Sequence, residues 1–345
     1  MKSDAKYDPG IQVSEDDCLC LHRNENLYID RSFIASIAQQ SLGDLSMPTY
    51  PDSEGTELRG VLAKNYGVNP ENIYIGNGAD EVLSDLLSLL RNRYDQMYVL
   101  DTCFKVYNLL AFRSNYELLE LPGNTFSSGR VEVPEGWRGF AVVDSPNAIT
   151  SSSLSSADLA QLSMHPGSFL IWDNVYGEFA GDEITAPLPD NVAVVRSFSK
   201  FYGLASLRIG YCIASQEIVS ELMARKDIFN VNGLAQAVAT AVVGQHDVFQ
   251  ATASKLKAGR TKLLAELKKR TFSVHEANGN FVLAGHPTCG GKFLQHELLA
   301  RGIAVRHFSD PLVAERIRIT VPKESDLPQL LSALDEIIQR SRAAT

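Results

Sequence analysis

NVAVVRSFSKFYGLASLRIGY, running from Asn191 to Tyr211, is the stretch that decides the fold. Val192, Ala193, Val194 and Val195 form an apolar, β-branched run typical of a strand buried on both faces. Leu207 to Tyr211 begins another strand. Between them stands Lys200, flanked by Ser197, Ser199 and Gly203, small or turn-forming residues that let the chain leave a strand sharply. A lysine held at the end of a buried strand loses hydration. Its ammonium pKa falls, and the neutral amine becomes able to condense with an aldehyde as a Schiff base. A single lysine more commonly sits on an exposed loop, so Lys200 takes its meaning from its companions.

Working outward from that stretch, strands and helices alternate. Ile73 to Ile75 reads as a short strand, followed by a glycine turn (Gly76, Gly78) and a helix from near Ala79 with Val82, Leu83, Leu86, Leu87 and Leu90 facing inward. Free N–H groups at such a helix start can hold an anion, although the spacing fits neither dinucleotide nor P-loop glycine patterns and suits an ordinary tight turn equally. Strand Met97 to Leu100, helix Val106 to Arg113, strands Glu117 to Leu121 and Phe140 to Val143, helix Ala157 to Met164 and strand Phe169 to Trp172 follow. The pattern predicts an α/β fold: a large domain with a mostly parallel sheet covered by helices on both faces. Ligands of such sheets sit outside the carboxyl ends of the strands. Asp173, Lys200 and the Ser145-Pro146-Asn147 turn fall at those ends, with Tyr176 three residues beyond Asp173.

Toward the N-terminus, Leu21 to Tyr28 reads as irregular. A helix over Asp30 to Leu42 is expected to end near Gly43, and Thr56 is expected to cap a helix that Gly67 stops. Beyond Ser215 the pattern is helical: Glu217 to Phe229, Leu234 to Val243, and Val248 to Lys269. A smaller α+β domain completes the chain. It comprises strands Phe272 to His275 and Phe281 to Leu283, helix Phe293 to Ala300, strands Ala304 to His307 and Ile317 to Val321, and helix Leu327 to Ile338. The tail SRAAT, 341–345, is expected to fray. The expected division is an N-terminal segment, 1–35, joining the small domain; a large cofactor-binding domain, 36–245; and a small C-terminal domain, 246–345.

Among 345 residues the net charge is −9 and no basic run occurs, which argues against nucleic-acid or anionic-membrane partners. No apolar stretch approaches the ~20 residues of a membrane span, and MKSDAKYDPGIQVSEDD lacks the apolar core of a signal peptide, so a cytoplasmic location is expected. Five scattered cysteines, Cys18, Cys20, Cys103, Cys212 and Cys289, suit reduced thiols better than a disulfide framework or a metal site.

The assembled residues resemble the fold-type I pyridoxal-phosphate aminotransferases, specifically their histidinol-phosphate aminotransferase-like group, which also contains threonine-phosphate decarboxylases. The resemblance runs from about Arg23 to Ile338. Ser197-Phe198-Ser199-Lys200 with Gly203-Leu204-Ala205 and Leu207-Arg208-Ile209-Gly210 is similar to the family's lysine motif. It implies that Lys200 binds pyridoxal 5'-phosphate, and that Ser197, Ser199 and Arg208 grip the cofactor phosphate together with the backbone at Ala79 and Asp80. Phe104 falls where an aromatic ring stacks on the pyridine. Asp173 and Tyr176 match a D-x-x-Y, the aspartate pairing with the ring nitrogen and the tyrosine with the ring hydroxyl. Tyr50 matches a tyrosine that reaches the partner's cofactor phosphate in a homodimer with shared active sites. Arg306 and Arg318 match arginines that meet an anionic substrate, and Asn280-Phe281 a strand that lines the site. The family's PNNPTG reads Pro146-Asn147-Ala148-Ile149-Thr150-Ser151 here. Either Asn147 replaces the missing asparagine at Ala148 through a shifted loop, or Tyr176 holds the ring oxygen alone. The implied activity is amino-group transfer between small molecules, with a decarboxylase or lyase on the same scaffold, or a non-catalytic descendant, as alternatives.

Overall fold

The computed structural model describes residues 10–14, 17–121, 131–133, 137, 139–165, 167–184 and 187–343. Twelve strands are described: β1 Leu19–Leu21, β2 Ile73–Gly76, β3 Gln96–Val99, β4 Glu117–Glu120, β5 Phe140–Asp144, β6 Phe169–Asp173, β7 Val192–Ser197, β8 Gly210–Ile213, β9 Ser273–Val274, β10 Phe281–Gly285, β11 Ile303–His307 and β12 Arg316–Thr320. Seven form one sheet in the order β2-β8-β7-β6-β5-β3-β4. Its neighbours pair in parallel except β8, which runs antiparallel to both β2 and β7.

The expected two-sided burial is present. Along β2 and β8, Tyr74 and Cys212 enter one apolar cluster while Ile73, Ile75, Tyr211 and Ile213 enter another on the opposite face. Helix Ala79–Leu90 feeds the first cluster through all five residues expected to face inward, and through Leu89. Helix Gly233–Val243 covers the other face through Ala235, Val238, Ala239 and Val242. A second sheet, β1-β11-β12-β10-β9, packs on the helices Gly291–Leu299 and Leu327–Ala343 around a third cluster.

Element ends depart from the sequence reading for local reasons. Helix Arg31–Asp44 runs through Gly43, whose Cβ position faces open space, so that glycine weakens the last turn without ending it. Thr56 is the first helical residue, not the cap. The Asp52 carboxylate does the capping, accepting N–H groups of Glu54 at 2.9 Å and Thr56 at 2.7 Å. Helix Gln216–Met223 stops well before Phe229; beyond it, Lys226 Nζ donates to the carbonyls of Asp227 and Ile228. Within the stretch read as a strand from Leu207, residues Ala205–Leu207 form a 3₁₀ turn, Arg208 takes a left-handed conformation (φ 50°), and β8 starts at Gly210. The last helix continues through 341–343, expected to fray, while 344–345 and the N-terminal residues 1–9 lie outside the described residues. β1 was not anticipated: three residues are too short to carry a periodic signal, yet they pair in parallel with β11. Among the described residues no helix is long and apolar enough to cross a membrane.

Candidate active site

Three adjacent parallel strands end side by side at Asp144 (β5), Asp173 (β6) and Ser197 (β7), and their ends open into a cavity of about 500 Å³. That size suits a small-molecule site. Of the residues expected at a site, the cavity brings together Ala79, Asp80, Phe104, Asp173, Tyr176, Ser197, Ser199, Lys200, Arg208, Arg306 and Arg318.

Lys200 lies in the turn after β7 and donates from Nζ to the carbonyl of Arg23 at 3.0 Å. Burial first, and the Arg318 guanidinium second, bring its ammonium down to about 8. A usable fraction of free amine is therefore present near neutral pH. Asp173 is buried, and its Oδ2 accepts from the Tyr107 hydroxyl at 2.7 Å. Burial raises its carboxyl to about 6 against that hydrogen bond. A cation placed beside it would restore its charge. The Tyr176 hydroxyl accepts from Asn24 Nδ2 at 3.0 Å, and burial raises its pKa.

At the other side of the strand ends, helix Ala79–Leu90 starts without a side-chain cap, leaving its first N–H groups for another acceptor. Gly210 makes this approach possible, since a Cβ there would lie 2.4 Å from the Ala79 nitrogen. Arg208, in its left-handed conformation, pairs with Asp80 at 2.9 Å across Gly78, where a Cβ would meet the guanidinium at 2.9 Å.

Arg318 donates from Nη1 to the Ala148 carbonyl (2.7 Å) and from Nη2 to the His22 carbonyl (3.0 Å), with its guanidinium over both Phe281 and Phe308. Arg306 is buried and faces Phe308 from 5.2 Å. The imidazole of His22 also lines the cavity, and burial, with Arg23 beside it, lowers its pKa to about 4, so it is neutral.

Three expected residues lie elsewhere. Asn147 does not line the cavity: its Oδ1 accepts from Ile149, Thr150 and the Thr150 hydroxyl, and its Nδ2 donates to Thr102 at 2.6 Å. Its side chain is engaged in holding the turn, whereas Ala148 lines the cavity itself. Asn280 is fully buried behind the wall, donating to the carbonyls of Asn24 and Glu25. Tyr50 is 81% exposed and stacked on Phe229 at 4.6 Å, outside its own chain's cavity.

Sequence reasoning missed Tyr107, whose place on the apolar face of a helix looks like ordinary core, and the His22-Arg23-Asn24 segment. The signal for the segment was a polar, irregular run beside buried Leu21. The signal for Tyr107 was a phenol that needs a buried acceptor.

A model of the aminotransferase class I and II family matches residues 17–334. The chain belongs to that family. This aminotransferase is 34% identical over 340 residues to histidinol-phosphate aminotransferase 2 of Rhizobium meliloti, covering 96% of each chain. It is 30% identical over 336 residues to histidinol-phosphate aminotransferase of Microcystis aeruginosa, covering 96% of this chain and 95% of that one. In fold it is similar to histidinol-phosphate aminotransferase from Sinorhizobium meliloti in complex with pyridoxal-5'-phosphate (TM-score 0.85, 20% identity, 94% and 91% of the two chains). It is also similar to L-threonine-O-3-phosphate decarboxylase from Porphyromonas gingivalis (TM-score 0.82, 21% identity, 93% and 99%). The enzyme is thus a transferase of the fold-type I class, with pyridoxal phosphate as its cofactor. The uncapped helix start against Gly210, the Arg208 cation and the buried Asp173 carboxylate suit that group's phosphate and ring nitrogen.

Proposed function

We propose that this aminotransferase acts on a small anionic amino compound of the histidinol-phosphate type, with Lys200 as the residue that bonds the cofactor and moves the proton. The observation that carries the reading is one cavity holding a lysine of lowered pKa, a buried aspartate and two arginines. Bound pyridoxal phosphate supplies an electron sink for the pair released when a bond at the substrate's amino-bearing carbon breaks. Asp173 holds the ring-nitrogen end by charge, and Phe104 closes on the ring face. Tyr176, oriented by Asn24, holds the ring oxygen without help from residue 148. The N–H groups of Ala79 and Asp80, the Ser197 and Ser199 hydroxyls and Arg208 hold the phosphate. Lys200 Nζ, once free, takes the proton as a base near pH 8 and returns it as an acid. Arg318 and Arg306 bind the substrate's anionic end, and the apolar faces of Phe281 and Phe308 exclude water beside them.

The same reading makes the enzyme a cytoplasmic homodimer. Its five cysteines are free, Tyr50 stacks on Phe229 with Met47 and Ile228 also exposed, and Tyr50 would reach from there to the partner's phosphate end. Residues 36–245 would carry the cofactor, and 246–345, joined by 1–35, the substrate arginines. The test is an absorbance spectrum with added pyridoxal phosphate, then a donor panel containing L-histidinol phosphate, L-histidinol and common amino acids. Bleaching of the visible band by L-histidinol phosphate far more than by L-histidinol supports the reading. A panel in which unphosphorylated donors work as well removes the phosphate part of it.

A further inference from the structure

One buried carboxylate beside the site has no role in the reading above. Asp144 ends β5 where Asp173 ends β6, and the two are register partners on neighbouring parallel strands. Such partners share a face of the sheet, with backbones about 5 Å apart. Both side chains are buried and both line the cavity. Asp144 Oδ2 accepts the Ala148 N–H at 2.8 Å, and its Oδ1 accepts from Asn147 Nδ2 at 3.2 Å. The same Ala148 gives its carbonyl to Arg318 Nη1 at 2.7 Å. A single residue therefore joins a buried carboxylate on one side to the substrate-facing guanidinium on the other. Alanine has no polar side chain to share that task, so the main chain carries it.

We propose that Asp144 is a positioning residue of this site, fixing Arg318 through the Ala148 main chain while its own charge is set against that of Asp173 across the strand pair. The proposal rests on the roles assigned above to Arg318 and Asp173. The titratable groups facing Asp144 are Asp173 on β6, Cys103 and Tyr107 from the Cys103 to Arg113 segment, and Tyr176 beyond β6. Burial raises the thiol and both phenols, which keeps them neutral, so Asp173 is the charge that Asp144 meets. Burial first, and Asp173 in addition, lift the Asp144 carboxyl to about 7, opposed by the Ala148 hydrogen bond.

Two variants separate the two actions. Asp144→Asn keeps an acceptor for the Ala148 N–H and removes the charge, whereas Asp144→Ala removes both. In the enzyme loaded with pyridoxal phosphate, Asp144→Ala should raise KM for L-histidinol phosphate about tenfold with a smaller change in kcat. Asp144→Asn should leave KM within about twofold and lower the pH midpoint of the visible band by about 1 unit, because a nearby anion favours the protonated form of its neighbour. A third measurement needs no cofactor. The folded carboxyl titrates above its unfolded value, so ionised Asp144 costs stability above about pH 7 and little near pH 4. Asp144→Asn should therefore melt higher than the parent at pH 9, with the gain shrinking toward pH 5. Equal melting losses for both variants at every pH, with KM and the band midpoint unmoved, would reduce Asp144 to a turn residue. If the parent protein forms no visible band, the cofactor reading fails on its own account, and the melting series still decides: a loss independent of pH overturns the charge coupling.

Discussion

The end of the cavity beneath Lys200 is made from adjacent strand termini of one sheet, whereas the end beneath Arg318 is assembled from segments far apart in the chain. Asp144 and Asp173 stand beside one another as register partners on β5 and β6, and Ser197 lies two residues beyond Val195, the partner of Asp173 on the parallel strand β7. Moving any of them means moving a ladder of hydrogen bonds buried on both faces. The opposite end joins His22 and Arg23, Ala148, and Arg306 and Arg318 from β11 and β12. Arg306 and Arg318 are themselves register partners on β11 and β12, but the separate segments meet through side-chain to main-chain bonds: Arg318 to the carbonyls of Ala148 and His22, and Lys200 to that of Arg23. The difference teaches where each property is stored. In the proposed roles, the cofactor end is fixed by the register of one sheet, while the substrate end also depends on a few replaceable contacts between segments.

The largest expected effect is at the register-built end. Lys200→Ala should abolish the lysine-dependent visible band and slow transamination by at least about 10³-fold, since it removes the proposed covalent partner and proton carrier. A variant that kept the band would place the reactive amine elsewhere and end the comparison. A smaller effect is expected across the cavity. Arg318→Ala should raise KM for L-histidinol phosphate by about 10- to 100-fold, the loss of charge-assisted contacts worth about 1.5–3 kcal/mol, with kcat reduced less. Equal falls in kcat and kcat/KM would show that Arg318 acts in the transition state, and the two ends would then not be separable.

Smaller again is the contact that ties the ends together. Asn24→Ala removes the donor to the Tyr176 hydroxyl, a bond inside a buried region and worth about 0.5–1.5 kcal/mol. It should lower kcat/KM about three- to tenfold and move the pH midpoint of the visible band, because Tyr176 loses a partner that favours its ionised form. An unmoved midpoint would make Asn24 a strut for the N-terminal segment.

The same contrast explains what the sequence revealed. Apolar runs locate β5, β6 and β7 to within about two residues, so the sequence alone puts Asp173 and Lys200 at or just beyond strand ends. The glycine turn before Ala79 was legible too, although its uncapped helix start became meaningful only with Gly210 and Arg208 folded against it. What stayed hidden depends on which atoms are already engaged. Asn147 and Asn280 fall at suitable chain positions, yet Asn147 spends its amide on Thr102, Ile149 and Thr150, and Asn280 spends its donors on the N-terminal segment. Pattern gives the position of a side chain, not its prior commitments. β1 escaped for the related reason that its pairing with β11 lies nearly the whole chain away.

Tyr107 offers the finest test of the register-built end, because its hydroxyl is a side-chain contact made onto a register-fixed carboxylate. Burial raises Asp173 to about 6, and the Tyr107 hydrogen bond, which favours the ionised form, opposes the rise. Tyr107→Phe removes that donor, so the carboxyl pKa must go up. In its proposed role, Asp173 would have to be ionised to hold the ring-nitrogen end of the cofactor. The dissociation constant for pyridoxal phosphate, measured against pH, should therefore weaken below about pH 6 in the parent and at higher pH in the variant, by roughly 1 unit. The stability sign agrees: the lost bond is to a charged group at pH 8 and to a neutral one at pH 5, so the variant should lose more stability at pH 8. A shifted binding midpoint with saturating affinity intact would mean that the hydrogen bond adjusts the carboxylate while register still places it. If affinity were lost at every pH, Asp173 would depend on Tyr107 for its position, and this end would be no more rigid than the one beneath Arg318.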